Sequence, residues 1–126
     1  MSEILDINPI SGRLDVINVL RHQGTVTPSG TTQTVDFNAG ESITIDLNSA
    51  TGDVTLTLSN AKEGASYLIK AIQGATSRDL IWPASVKWDI CGGTPVVPTT
   101  EDYELIVSLY YDGAKFYGGF REYDDS

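Results

Sequence analysis

The chain has 126 residues, enough for one ordinary domain with a single core. Its 40% hydrophobic and 20% charged residues are the proportions of a chain that folds. A formal charge of −9, with only eight scattered Lys and Arg, excludes nucleic acid as a partner, because phosphate neutralisation needs clustered cations.

The first 24 residues, MSEILDINPISGRLDVINVLRHQG, carry aliphatic side chains but no aromatic ones, and read as an arm. Neither a basic n-region with an apolar h-region nor a membrane-length apolar run occurs, so the expectation is cytosolic synthesis without membrane insertion. Leu14, Ile17 and Leu20 recur at helical steps, while Leu14, Val16, Asn18 and Leu20 alternate as in a strand; periodicity leaves both open. Asn8-Pro9 favours extended or turning backbone, so a helix in the arm would begin later. The Thr-rich stretch Thr25–Thr34 reads as a linker from arm to body.

From Thr31 onward, Val, Ile, Thr and Tyr gather in short runs divided by Gly, Asn, Asp and Pro, which predicts an all-β body. Ile43, Ile45 and Leu47 alternate with polar residues, as do Val54, Leu56 and Leu58, so each run is a strand with one buried face. The polar, glycine-bearing link Asn48–Asp53 predicts a hairpin between them. Ser66–Gln73 is apolar at both parities and is expected as a central strand, covered on both sides or at a subunit contact. Glu104–Tyr111 is similar, and Asp112-Gly113 signals a hairpin returning along Ala114–Phe120. Within that return, Gly118-Gly119 marks a bulge or a close approach. Roughly seven to nine strands with regular turn signals have the spacing of a sandwich, barrel or jelly-roll, of which an antiparallel β-sandwich, jelly-roll-like, is preferred, and no repeat of solenoid length is visible.

Residues able to do chemistry are few. His22, the sole histidine, falls in the arm, and Cys91, the sole cysteine, allows neither an intrachain disulfide nor a cysteine-built zinc cage. Cys91 reads as a small, buried or half-buried thiol. The carboxylates Asp36, Glu41, Asp46, Asp53, Glu101, Asp102, Glu104, Glu122, Asp124 and Asp125 fall at polar phases or turns and read as solvated charge, with a pair of them cleaving a glycosidic bond as the lesser alternative. No EF-hand loop, Walker loop or GxGxxG occurs, so no metal, nucleotide or other cofactor is expected, and the chain reads as non-enzymatic. Trp82 and Trp88 read either as a packed corner or as a platform for sugar rings.

The ordered series Gly64-Ala65-Ser66-Tyr67, Ile81-Trp82-Pro83, Val86-Lys87-Trp88, Gly92-Gly93-Thr94-Pro95, Tyr110-Tyr111-Asp112-Gly113 and Phe116-Tyr117-Gly118 resembles a β-sandwich module of tailed-bacteriophage fibres, head fibres and related virion proteins. The resemblance covers about residues 31–121. It implies a homotrimer around an axis, with Trp82, Pro83, Trp88 and Gly93 as architectural positions and no catalytic residues to carry over. Shaft repeats and coiled-coil heptads are lacking, which favours a short particle-surface fitting over a long fibre.

The resulting expectation is a virion protein in three parts: an anchoring arm (1–24), a body (25–121) and an acidic tail (122–126). It is a homotrimeric head fibre or capsid-decoration protein, docked on the major capsid protein through Ile4, Leu5, Ile7, Ile10, Leu14, Ile17 and Leu20. Each of these side chains contributes about 1.5–3 kcal/mol on burial, before ordering costs. The alternative is a tail-fibre or baseplate adhesin that meets host surface carbohydrate through Trp82, Trp88 or the tyrosines.

Overall fold

The computed structural model describes residues 5–7, 14–16 and 21–124. Two short strands, β1 (Leu5–Ile7) and β2 (Leu14–Val16), pair antiparallel with Leu5 opposite Val16, in a sheet of their own. Ile4, Ile10, Ile17 and Leu20 lie outside the described residues.

From there the chain coils. β3 (His22–Val26), β4 (Thr32–Asp36), β5 (Ser42–Asp46), β6 (Val54–Ser59), β7 (Ser66–Ile72) and β8 (Leu80–Ile81) alternate between two sheets. β3, β5 and β7 lie side by side in one sheet, β4, β6 and β8 in the other, and neighbours in each run parallel. Each circuit adds one rung to both sheets, giving a β-solenoid of three turns. β9 (Val86–Trp88), β10 (Glu104–Tyr111) and β11 (Phe116–Tyr123) complete the larger sheet in the order β3-β5-β7-β10-β11-β9. β10 is antiparallel to both β7 and β11, whereas β9 lies parallel to β11.

Alternation drives the coil, because β4, β6, β7 and β10 each turn one face inward. Ile43, Ile69 and Val107 form one buried row across the larger sheet, and Ile45, Ala71 and Leu105 the next, each 1% exposed or less. Val35, Val54, Leu56 and Leu80 face them from the smaller sheet. Phe37 stacks on Tyr67 at 4.0 Å between ring centroids, and the Tyr67 hydroxyl accepts the Lys62 amide at 2.8 Å. Each large side chain in this core contributes about 1.5–3 kcal/mol on burial.

Corners are held by polar side chains. The Asp46 carboxylate accepts the Asn48 amide at 2.9 Å and opens the 3₁₀ turn Leu47–Ser49, whose Leu47 is buried. Contacts between successive turns then fasten the corners in a stack. Asn48 Oδ1 accepts the Ala75 amide, Asp53 Oδ1 accepts the Asp79 amide at 2.9 Å, and Gln23 Nε2 donates to the carbonyls of Asp36 and Gly40. Gln73, 1% exposed, donates to the carbonyls of Arg78 and Pro98 and accepts the amides of Gly74 and Arg78. It clips the third corner to the segment that leads into β10.

This architecture corrects the expected antiparallel sandwich, although the all-β class stands. β5 and β6 form no hairpin: the Asn48–Asp53 link carries the chain across to the other sheet, and the neighbours of Ser42 and Val54 are Leu68 and Leu80. A strand with one buried face shows the same alternation whether its neighbour is adjacent or one circuit away. The repeat reported absent from the sequence is present but uneven, since His22 pairs with Ser42, 20 positions on, whereas Ser42 pairs with Leu68, 26 positions on. Thr25–Thr34 is no free linker, because it supplies the end of β3 and the start of β4. Ser66–Gln73 is central as expected, with β7 between β5 and β10, and the β10–β11 hairpin is present.

Candidate functional site

The antiparallel end of the coil gathers Trp88, Gly118, Gly119, Asp112 and Gly113 of the residues singled out in the sequence. At the hairpin tip, Gly113 has φ +100°, a conformation open to glycine, and Asp112 accepts the amides of Lys115 and Ala114. These backbone donors, the Lys115 amide foremost, hold the Asp112 carboxyl below its ordinary range. The Tyr117 hydroxyl donates to its other oxygen at 3.2 Å.

Trp82 and Trp88 are brought together edge to face, 5.2 Å between centroids, and Trp88 meets Phe120 in the same manner at 6.3 Å. Both indoles are half-buried against the core. A Cβ on Gly118 would stand 2.4 Å from the Trp88 ring, so the glycine makes room for the indole. Of the two meanings the Gly118-Gly119 pair offered, close approach is therefore the one found: pairing from Glu104↔Tyr123 to Tyr111↔Phe116 runs without a break. The Trp82 Nε1 is buried without a hydrogen-bond acceptor among the described residues.

His22 lies in β3, its Nδ1 3.1 Å from the Ser42 hydroxyl, and Arg21 beside it pairs with Glu41 at 2.7 Å. Residues 21–24 are thus joined to the coil. The carboxylates are dispersed over corners and strand ends, and among the described residues no three His, Cys, Asp or Glu side chains gather to hold a metal ion. Asp36 and Glu41 are held below the ordinary carboxylate range, as Asp112 is. For Asp36 the Asn60 side-chain amide is the main cause, and for Glu41 the Arg21 guanidinium. All three are fixed as ionised acceptors, the opposite of the raised carboxyl that a general acid needs. Cys91 is exposed rather than buried.

Sequence reasoning offered the tyrosines and separated Ile106 and Tyr110 from the core side of β10, but missed the recess on the outer face of the β10–β11 hairpin. Register places Glu104 opposite Tyr123, Ile106 opposite Arg121, Ser108 opposite Gly119 and Tyr110 opposite Tyr117, all on the face away from the core. Tyr110, Tyr117 and Tyr123 are 46%, 46% and 48% exposed. Between the tyrosines, where the small residues Ser108 and Gly119 meet, lies a cleft of about 640 Å³. It is lined by Asp89, Cys91 and Gly92 of the loop after β9, and by Ile106, Ser108 and Gly118–Arg121 of the hairpin. The available signal was parity: Ile106, Ser108 and Tyr110 share the face opposite to Leu105, Val107 and Leu109.

Among the described residues, no helix is long and apolar enough to cross a membrane. Fold and face define a β-solenoid followed by an antiparallel hairpin that carries a cleft and, on its outer face, three half-exposed tyrosines. No family model matches the chain, and no curated protein or solved structure matches it.

Proposed function

We propose that the chain is a non-enzymatic structural component of a tailed-phage virion, a homotrimeric head fibre or capsid-decoration protein whose N-terminal segment docks on the capsid. One observation carries the reading: β1 and β2 form a sheet of their own ahead of a coil with its own buried core. Attachment and body are then separate parts of the chain. The phage origin and the trimer rest on the ordered motifs of residues 31–121 alone, since the sandwich that the same resemblance implied is replaced by a coil. Exposed Ile81, Ile90 and Val96 support contact with other copies or virion proteins, since large apolar side chains gain most from being covered.

Residues 21–24 are joined to the coil, so the deletion that tests this reading ends at Leu20. The expected product is a folded trimer that no longer associates with particles. Retained association overturns the docking assignment, and a monomeric mass for the full chain overturns the trimer.

A second reading, a tail-fibre or baseplate adhesin for host surface carbohydrate, is favoured by the cleft and by the three half-exposed tyrosines on the same hairpin. Aromatic faces beside a polar recess suit sugar rings. Trp82 and Trp88 offer less to a sugar, because their rings engage each other, Gly118 and Phe120.

A further inference from the structure

We propose that the cleft over Ser108 and Gly119 is a binding site for a carboxylate-bearing sugar unit, such as a uronic acid residue of a surface polysaccharide. The inference rests on the adhesin reading and moves the sugar contact from the tryptophans to the outer face of the β10–β11 hairpin. At about 640 Å³ the cleft falls within the range of sites for small ligands.

Its parts divide the work of recognition. Arg121 is exposed and makes no ion pair or hydrogen bond among the described residues, so its guanidinium fork is free to take a carboxylate through two parallel hydrogen bonds. On the opposite wall, Asp89 Oδ1 accepts the Cys91 amide at 2.9 Å, and the Asp89 carbonyl accepts the amides of Gly92 and Gly93. That turn fixes the carboxylate and leaves Oδ2 to accept from sugar hydroxyls. Ser108 holds only a long 3.5 Å contact to the Gly119 carbonyl, so its hydroxyl can turn to a ligand. Ile106, on the outer face, supplies apolar surface for the C–H face of a pyranose ring. A Cβ on Gly119 would meet nothing closer than the Ser108 hydroxyl at 3.8 Å, which leaves the floor open.

Charge selects the ligand class. In a chain of net charge −9, a free cation in a recess is where an anion is tolerated. Asp89 across the cleft disfavours a phosphate dianion and favours a ligand that pairs one carboxylate with hydroxyl donors.

Amide spectra of the ¹⁵N-labelled full chain, titrated with a galacturonic acid trisaccharide, the matching neutral galactose trisaccharide and sodium acetate, test the assignment. The acidic trisaccharide is expected to move the amides of Cys91, Gly92, Gly118 and Gly119, and to bind about 10-fold more tightly than the neutral one. Acetate is expected to leave them in place, and added salt to weaken binding. Arg121→Gln and Gly119→Val are each expected to cost at least about 10-fold in affinity with unchanged circular dichroism. Asp89→Asn, which keeps the Oδ1 acceptor and hence the turn, is expected to weaken the acidic trisaccharide by a smaller factor. No shift up to millimolar sugar, or equal binding of the neutral trisaccharide, overturns the proposal. Shifts confined to Trp82 and Trp88 overturn the site and leave the adhesin reading standing. A drop in assembly mass on Gly119→Val or Arg121→Gln would make the cleft a contact between copies, which also overturns it.

Discussion

Gly118 and Gln73 show how far single side chains decide this structure. A methyl group at position 118 would overlap the Trp88 ring at 2.4 Å, and the indole is itself held by Trp82 and Phe120. Gly118→Ala is therefore expected to destabilise the fold by about 1–3 kcal/mol, the usual cost of overpacking, and to change tryptophan fluorescence. Urea unfolding followed by both emission and far-UV circular dichroism measures it; an unchanged midpoint would show that the indole yields at no cost. Gln73 works in the opposite sense, by filling polar demand. Its amide satisfies two carbonyls and two backbone N–H groups, so Gln73→Leu leaves four buried or half-buried polar groups unpaired. The expected loss is about 2–4 kcal/mol, read from the same urea midpoint, whereas Gln33→Leu, whose side chain bonds only the neighbouring Thr34 carbonyl, should stay within about 0.5 kcal/mol.

Pairs of elements add a pH dependence with a definite sign. Arg21, just before β3, pairs with Glu41, just before β5, and holds that carboxyl below its ordinary value of 4.5. A depressed carboxylate contributes stability that is complete above the unfolded value and is lost as pH falls through the folded one. The stability gap between wild type and Glu41→Gln should therefore be constant near neutrality and close as pH falls below about 4.5. Chemical unfolding at stepped pH checks it, and a gap that widens toward acid would refute it. The pair is a quarter exposed, with both side chains at 24%, so the effect should stay below about 1 kcal/mol. The same scale shows what the sequence made legible. Which side chains of β5 and β6 point inward could be read directly, because alternation is local, whereas β7 and β10, apolar at both parities, did not declare their inward face. Which strands pair could not: Asn48–Asp53 has the composition of a hairpin turn, and only the contacts of Asn48 with Ala75 and of Asp53 with Asp79 make it a stacked corner. The cleft was hidden for a related reason. Ser108, Gly119, Asp89 and Arg121 are unremarkable singly, and the register of β10 on β11 together with the loop after β9 creates the recess.

For the molecule as a whole, parallel coiling sets a gradient of stability across the sheets. A strand inside a sheet is fastened along both edges, whereas an end strand has one of its edges unpaired within that sheet. In the larger sheet β5, β7, β10 and β11 are interior, while β3 and β9 end it; in the smaller sheet only β6 is interior. β7 also carries Tyr67, Ile69 and Ala71 in the core, all 2% exposed or less. Amide exchange of interior strands then requires that whole turns come apart, while end strands open locally. The amides of β5, β7 and β10 that point to a neighbouring strand are expected to exchange together, only through global unfolding, with those of β3 and β9 faster by orders of magnitude. The decisive comparison is β5 against β6. In the coil, β5 is protected by β3 and β7 and β6 by β4 and β8, so weakening the third turn with Gln73→Leu should speed exchange in both through separate partners. A hairpin between them would instead show direct Hα–Hα contacts across the Asn48–Asp53 link. The coil predicts cross-strand contacts from Thr44 to Lys70 and from Thr34 to Thr57, residues with no sequence proximity. Nuclear Overhauser measurements on the same labelled chain distinguish the two arrangements, because parallel pairing places each strand beside the one a full circuit away.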